Sequence, residues 1–147
     1  MSATEYVKRD IAAEYLDAAM QMYLEQKYFC AIHLAAAAAE LFDFHLPKQK
    51  RIFRFAVEAE RGLHAAETGE VLDDKTIKQK LNQLKNSIKH MNDCEPTIEI
   101  DPPIEAVWWI EIARLSSHLL GLAKSQIAFR YDNFRSEQIR IEARTVT

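Results

Sequence analysis

The chain has 147 residues, with only three glycines and four prolines. This length fits one domain, and the scarcity of helix-breaking residues favours helix over strand. The net charge of −3 excludes a general electrostatic attraction to nucleic acid, so any such contact has to come from a local cationic patch.

Charged residues interrupt the apolar segments too often for a membrane span, and residues 1–5 lack the basic and then apolar pattern of a secretory signal. We therefore expect a cytoplasmic protein. Its two cysteines, Cys30 and Cys94, fit reduced thiols better than a disulfide framework, and we expect Cys30 to be a small core residue.

The first half of the chain predicts two helices, at residues 3–26 and 28–44. In the first helix apolar residues recur at the helical period, at Val7, Ile11, Tyr15, Ala18 and Met22. The second helix is apolar almost all round, which predicts a buried central helix. Its alanine run, residues 35–39, lets neighbouring backbones approach closely.

Pro47 separates these helices from a third predicted helix at residues 48–68, which Gly69 ends. The predicted apolar stripe of the third helix is Ile52, Phe55, Ala56, Ala59, Leu63 and Ala66. Asp73 or Asp74 caps a fourth helix at residues 75–91. The residues predicted to face inward from it are Ile77, Leu81, Leu84, Ile88 and Met91.

Residues 92–100 are predicted to form a loop, in which 97–100 are either extended or irregular. Asp101 followed by two prolines has the pattern of an N-cap with proline at the first helical position. It predicts a long fifth helix at residues 102–131. The main apolar stripe of this helix is Ile104, Trp108, Ile112, Leu115, Leu119 and Leu122. Residues 137–147 form a tail that is either a strand added to a partner or frayed.

The sequence thus predicts an all-α, up-and-down bundle of about five helices, in a single domain at residues 1–136. A second apolar flank lies beside the main stripe of the fifth helix, at Trp109, Ala113, Leu120 and Ile127. The two together are wider than one core contact needs, so we expect a homodimer.

His33 and Glu40 are seven residues apart in the second helix, hence on one face. In so apolar a helix both are expected to be buried and to need polar partners. A structural hydrogen bond is favoured over a metal site, because the sequence lacks the paired Glu-x-x-His motifs of a di-metal bundle. We therefore expect no metal and no other cofactor.

The end of the fourth helix, residues 85–90, is the most informative segment. Asn86 and His90 are one turn apart, so they stand over one another, opposite the predicted apolar stripe. Five lysines and no acid lie between Lys75 and His90. Two interpretations stay open: a solvated lysine face, or an anion site for RNA phosphate in which His90 transfers a proton.

Four cations open the third helix, at Lys48, Lys50, Arg51 and Arg54. They either extend the cationic surface of the fourth helix or are locally paired. For Arg54 an ordinary helix pair with Glu58, four residues later, is the favoured interpretation.

Two segments resemble the HEPN family. Residues 28–41 begin with an aromatic, a small and an apolar residue and continue through alanines to Glu40, as the second helix of HEPN domains does. Residues 85–90 resemble the HEPN signature, an arginine followed by a polar residue such as asparagine, with a histidine a few residues on. The resemblance covers roughly residues 5–130.

This resemblance implies a helical bundle that commonly dimerises. In catalytic HEPN members the signature arginine and histidine of two protomers form a metal-independent ribonuclease site. Carried over to this chain, His90 is the catalytic histidine, Asn86 the polar residue, and Lys85 occupies the arginine position. Lysine keeps the charge but loses the planar, two-pronged contact of guanidinium with phosphate, which argues against full activity.

Other HEPN relatives are non-catalytic. The resemblance therefore leaves two functions open. One is binding of RNA or nucleotide at a dimer cleft containing Lys85, Asn86 and His90, with weak ribonuclease activity. The alternative is a non-enzymatic dimeric interaction protein, a partner of a nucleotidyltransferase or of another small protein, as in a toxin–antitoxin-like pair.

Overall fold

A computed structural model describes residues 3–90, 97 and 99–146, with the side chains of all of these except 53, 55 and 83–90. In this part of the chain there are six α-helices, one 3₁₀ turn and no β-strand. The helices are α1 (Lys8–Leu24), α2 (Tyr28–His45), α3 (Ile52–Thr68), α4 (Asp74–His90), α5 (Pro102–Leu119) and α6 (Gln126–Thr145). The predicted all-α helical bundle is confirmed.

Helix α2 is the centre of the bundle. It packs against α1 on one side and α5 on the other, and α4 also contacts it. Alanines at positions 31, 35, 36 and 38 are fully buried, together with Ile32 and Phe42. Small side chains at these positions allow the three helix axes to lie close together, as the alanine run predicts.

The exposed side of α2 corrects three predictions. His33 and Glu40 are both exposed, and so is Cys30. They lie on the part of the helix surface that α1 and α5 leave uncovered, so His33 and Glu40 are not the buried polar pair the sequence predicts. The expectation that Glu40 is a buried carboxylate is therefore wrong, although Glu40 does have a partner.

Helix α1 has the predicted period but a different buried face. Val7 and Tyr15 are exposed, whereas the buried residues are shifted by about one position, to Ala12, Leu16, Ala19, Met20 and Tyr23. A shift of one residue rotates the face by about 100°. Both faces of α1 carry apolar residues at the helical period, so periodicity alone does not select between them.

The 3₁₀ turn at Lys48–Lys50 follows Pro47, and α3 begins two residues later, at Ile52. The carboxylate of Asp43 accepts a hydrogen bond from the Ile52 amide at 3.1 Å, which supplies a partner for one free amide of the first turn. Gly69, at φ 75°, ends α3 as predicted. The predicted stripe fails beyond Val57, because Ala59, Leu63 and Ala66 are exposed.

Helix α4 begins as the sequence predicts. Asp73 Oδ1 accepts a hydrogen bond from the Thr76 amide at 2.7 Å, and hydrogen bonds from Thr76 hold the pKa of this carboxyl below its usual value. Ile77 is buried and Leu81 half-buried. The predicted inward positions 84 and 88 lie outside the described side chains, and position 91 and most of the predicted loop lie outside the described residues.

The predicted fifth helix is two helices. Asp101 caps α5 as predicted, by accepting a hydrogen bond from the Ile104 amide. Helix α5 ends at Leu119, and Gly121, at φ 75°, allows the chain to reverse. Ser125 then caps α6, because its Oγ accepts from the Ala128 amide at 3.3 Å. A glycine followed by a serine N-cap four residues later was the sequence signal for this break.

Residues 137–145, predicted as a strand or a frayed tail, are the last turns of α6. The alternation of apolar and charged residues there does not form a strand; instead Ile139 and Ile141 are both exposed on the helix. The predicted domain boundary at residue 136 thus falls inside a continuous helix.

Helix α6 docks on α1 through an aromatic cluster. The Tyr23 and Tyr131 rings meet edge to face, with centroids 5.4 Å apart. The Tyr23 hydroxyl donates to Gln138 Oε1 at 3.1 Å, and Arg135 Nη1 donates to the same oxygen at 2.9 Å. Ser125 Oγ donates to Asp17 Oδ1 at 2.7 Å, so the start of α6 is also fixed to α1.

The two apolar faces of α5 are largely exchanged relative to the prediction, although Ile112 is buried as predicted. Trp109 and Ala113, predicted to form a dimer surface, are buried in the protein's own core. Ile104, Leu115 and Leu119, predicted to be core, are 65%, 48% and 42% exposed. The placement of the predicted dimer surface at Trp109 and Ala113 is therefore wrong, although α5 does present a second apolar face.

Candidate functional site

The residues predicted to form the site lie in the last turns of α4. The backbone is helical at positions 85, 86 and 90, as the one-turn spacing of Asn86 and His90 requires. Their side chains lie outside the described part of the structure. The assignment of Lys85, Asn86 and His90 as a catalytic or binding set stays a prediction.

A cleft of about 630 Å³ opens beside the first half of the same helix. Its walls come from α2, the 3₁₀ turn, α3, α4 and α5. Ala39, Val57, Trp109 and Ile112 give it an apolar lining. Charged side chains surround this lining: four cations, at Lys48, Arg51, Arg54 and Lys78, and four carboxylates, at Glu40, Asp43, Glu58 and Asp74.

All four carboxylates in the cleft already have partners. Arg61, from outside the cleft, pairs with Glu58 at 2.6 Å and also with Asp74. Its Nε donates to the Leu72 carbonyl at 3.0 Å, which holds the guanidinium in place. Asp43 accepts the Ile52 amide. Glu40 also has a partner and is exposed at the edge of the cleft.

Of the four cations of the cleft, Arg51 has a backbone partner, since its Nε donates to the Leu46 carbonyl at 3.4 Å. No described carboxylate forms an ion pair with Lys48, Arg54 or Lys78. All three side chains are exposed to solvent. They come from three different elements and converge only in the folded chain, on a cleft that is large enough to hold a nucleotide-sized ligand.

The pairing of Glu58 corrects a prediction. It pairs with Arg61, three residues later, rather than with Arg54, four residues earlier. Both spacings place charges next to one another on a helix. The pair with Arg61 is favoured because Arg61 also contacts Asp74 and the Leu72 carbonyl across the α3–α4 turn. No local pattern predicts these contacts.

The lysines of α4 differ in whether they form ion pairs. Lys80 pairs with Glu60 of α3 at 2.5 Å, whereas Lys78 lines the cleft without an ion-pair partner among the described residues. The exposed ring of Phe44 also lines the cleft, with Lys8 Nζ 5.7 Å from its centroid. Nothing in the sequence distinguishes Phe44, because it lies at the end of a helix that is predicted to be buried.

A second cleft, of about 680 Å³, lies between α1, α5 and α6. Its cations are paired: Arg114 contacts Asp132 at 2.7 Å, and Lys124 contacts the same carboxylate. Partial burial opposes ionisation of Asp132, but hydrogen bonds from Lys124 and Arg114 outweigh it and lower the pKa of this carboxyl. With its charges satisfied internally, this cleft is less suited to an anion than the first.

Among the described residues, no group of three or more His, Cys, Asp or Glu side chains is arranged to hold a metal ion. Nor does the described part of the chain contain a helix with the length and apolar character needed to cross a membrane. Comparisons of the chain with protein-family models, with curated proteins and with solved structures give no significant match.

Proposed function

We propose that this chain is a HEPN-like domain protein that binds the phosphates of RNA or nucleotide in the cleft between α2, α3 and α4. The observation that carries the proposal is the convergence of Lys48, Arg54 and Lys78, three exposed cations without a described carboxylate partner. Phosphate oxygens can supply the negatively charged partners that no described carboxylate provides for these side chains.

The position of the cleft on α4 supports the same function. Lys78 lies on the helix that carries the predicted signature, and position 85 follows it by seven residues, about two turns. A phosphate chain that begins at Lys78 and follows α4 therefore leads toward Lys85. A protein with a net charge of −3 needs such a local path to hold RNA.

Phe44 favours RNA or nucleotide over a simple anion. Its side chain is 70% exposed, so the ring is accessible for stacking. Every nucleobase has an aromatic face, and stacking on a protein ring contributes about 1–3 kcal/mol per base. A phosphate at the cations and a base on Phe44 would use both features of the cleft.

We expect Lys78→Ala to weaken the binding of a fluorescein-labelled single-stranded RNA about tenfold and to reduce the salt slope of log K by about 0.7, the loss of one phosphate contact. Phe44→Leu should weaken binding without changing that slope. Fluorescence anisotropy between about 50 and 200 mM KCl measures both quantities.

Lys75→Ala is the matched control, because Lys75 is an exposed lysine of the same helix that does not line the cleft. It should bind RNA like wild type apart from a small general charge effect. If Lys78→Ala and Lys75→Ala have the same affinity and slope, the cleft is not the binding site. Competition by a mononucleotide separates nucleotide binding from binding of longer RNA.

Weak ribonuclease activity is the catalytic part of the proposal. In RNA the 2′-hydroxyl can attack the adjacent phosphorus, so that the bond from phosphorus to the 5′-oxygen breaks and a 2′,3′-cyclic phosphate forms. A histidine can accept the proton of the 2′-hydroxyl or donate one to the departing 5′-oxygen. We expect His90→Ala to abolish cleavage of the labelled RNA while the affinity for RNA changes little. Lys85→Arg should raise cleavage, since guanidinium contacts a phosphate through two parallel hydrogen bonds.

Cleavage is measured on denaturing gels with EDTA present, which inactivates metal-dependent contaminating nucleases by chelating their metal ions. Wild type, His90→Ala and Lys85→Arg should be purified identically. If all three leave the RNA intact although they bind it, the protein is a non-catalytic binding module. If His90→Ala cleaves as fast as wild type, the activity does not belong to this site.

A further inference from the structure

One arginine outside the cleft between α2, α3 and α4 holds two of the carboxylates that line it. Arg61 Nη1 pairs with Glu58 Oε1 at 2.6 Å, and Arg61 Nη2 pairs with Asp74 Oδ1. Each carboxylate therefore has its own nitrogen of one planar guanidinium, a fixed geometry that a lysine ammonium does not offer. Glu58 and Asp74 line the cleft, whereas Arg61 does not. A single side chain thus controls the pairing of half of the carboxylates in the cleft.

The same two carboxylates have other cations within reach. Arg54 precedes Glu58 by four residues in α3, and Lys78 follows Asp74 by four residues in α4. Residues four apart are neighbours on a helix surface, so opposite charges at this spacing can pair. In α4 the acid lies N-terminal to the lysine, which is the better of the two orientations. Among these four described side chains, however, neither local pair is formed.

Arg61 is better placed than Arg54 or Lys78 to hold these carboxylates. Its side chain is only 21% exposed, and its Nε donates to the Leu72 carbonyl at 3.0 Å, so the guanidinium is already fixed when it pairs. Arg54 and Lys78 are exposed, and each would lose side-chain freedom on forming the same kind of contact. The competition for the two carboxylates therefore favours Arg61.

We propose that Arg61 keeps two cations of the cleft available for phosphate by holding their neighbouring carboxylates, Glu58 and Asp74. This inference rests on the phosphate-binding function proposed above, and it makes Arg61 a positioning residue that acts through the carboxylates without contacting RNA. Without the guanidinium, Glu58 pairs with Arg54 in α3. Asp74 then pairs with Lys78 in α4. A phosphate has to displace a carboxylate from each of these cations before it can bind.

A second contact between α3 and α4 allows this charge effect to be separated from a change in packing. Lys80 Nζ of α4 pairs with Glu60 Oε1 of α3 at 2.5 Å, independently of Arg61. The two helices therefore remain joined when Arg61 is replaced. Arg61→Gln also keeps an amide that can donate to the Leu72 carbonyl. The main change in this variant is the loss of the positive charge between the two carboxylates.

Fluorescence anisotropy with the labelled single-stranded RNA measures the effect. Arg61→Gln should weaken binding about fivefold, the combined effect of two competing surface ion pairs, and reduce the salt slope of log K by up to about 1.4, two phosphate contacts. Arg61→Lys keeps one charge but not the two-pronged contact, so its affinity should be intermediate. Arg114→Gln is the matched control, because Arg114 is 20% exposed and also pairs with two carboxylates, beside the second cleft. It should bind RNA like wild type.

The decisive variant combines Arg61→Gln with Glu58→Gln and Asp74→Asn. It lacks both competing carboxylates, so its RNA affinity and salt slope should return at least to the wild-type values. The two carboxylate changes made with Arg61 present give the general effect of removing negative charge. The gain in affinity should be clearly larger without Arg61 than with it.

Three outcomes of these binding experiments would overturn the proposal. One is an Arg61→Gln variant that binds RNA like wild type although Lys78→Ala does not. Another is a triple variant that stays as weak as Arg61→Gln, which would mean that Arg61 acts through packing or contacts RNA itself. The third is an equal gain from the carboxylate changes in both backgrounds, which would reduce the effect to general charge.

An NMR measurement without RNA separates this proposal from the phosphate-binding function. In isotope-labelled protein the Nε–Hε signal of Arg54 reports whether its guanidinium is paired. It should shift in Arg61→Gln and return when Glu58→Gln is added, and a signal that does not shift would contradict the proposal. If the signal behaves as expected but wild type binds no RNA, the competition for the carboxylates stands and only the phosphate-binding function fails.

Discussion

Trp109→Ala should destabilise the fold by about 3–5 kcal/mol, the usual cost of removing a buried tryptophan. Only 1% of this side chain is exposed, and it packs in the core where α5 meets α2. A domain of this size has roughly 5–15 kcal/mol of stability in total, so the variant should be close to its unfolding threshold at room temperature.

Trp108→Ala is the control for this experiment. Trp108 is the adjacent residue and has the same side chain, but it is half-buried on the outer face of α5. Its removal should cost about 1 kcal/mol, the centre of the range for point mutations. Urea unfolding followed by circular dichroism, at submicromolar concentration to avoid any contribution from association, measures both variants. Equal losses for Trp108 and Trp109 would mean that the face of α5 turned to the core is wrongly assigned.

The second large effect is expected at the alanine run of α2. Ala36 is fully buried where neighbouring helices approach, so Ala36→Leu forces three extra carbons into a closely packed contact. Such overpacking costs about 1–3 kcal/mol or more. The loss comes from steric strain, because leucine itself is a good helix former.

Ala37→Leu makes the same chemical change one position further on, where the side chain is only half-buried. We expect it to change stability by less than about 1 kcal/mol. Thermal unfolding of the two variants side by side gives the comparison. If Ala37→Leu is the more destabilising of the two, the packing of α2 between α1 and α5 differs from the one described.

The ends of most helices could be predicted from the sequence because caps act locally. Gly69 and the caps Asp73 and Asp101 depend on hydrogen bonds or dihedral angles within a few residues, and each has the predicted role. The break at Gly121 had an equally local signal. The apolar period hides this signal, because it continues through the break from Leu119 to Leu122.

The buried faces of the helices could not be predicted in the same way. In α1 and α5 two apolar stripes run side by side, and only the position of α2 decides which one is covered. Trp109 and Trp108 differ by one position in sequence and exchange roles in the structure. The exposure of Glu40 has the same origin, since an apolar composition shows that a helix packs but not on how many sides.

The candidate cleft could be predicted from the sequence only in part. The cations at Lys48, Arg54 and Lys78 are visible in the sequence as two basic segments. Their convergence depends on the angle between α3 and α4. That angle is influenced by contacts of Arg61 with Asp74 and Leu72, on the far side of a turn. No spacing rule predicts a contact of this kind.

The attachment of α6 to α1 affects how the chain folds as it is synthesised. The α1–α2 pair is local and can form as soon as the first 45 residues leave the ribosome. The partners of Tyr23, however, are Tyr131 and Gln138, and the partner of Asp17 is Ser125. All three are synthesised more than 100 positions later. Throughout most of translation the surface of α1 that α6 covers is exposed, and nascent chains are open there to chaperones or to aggregation until α6 emerges.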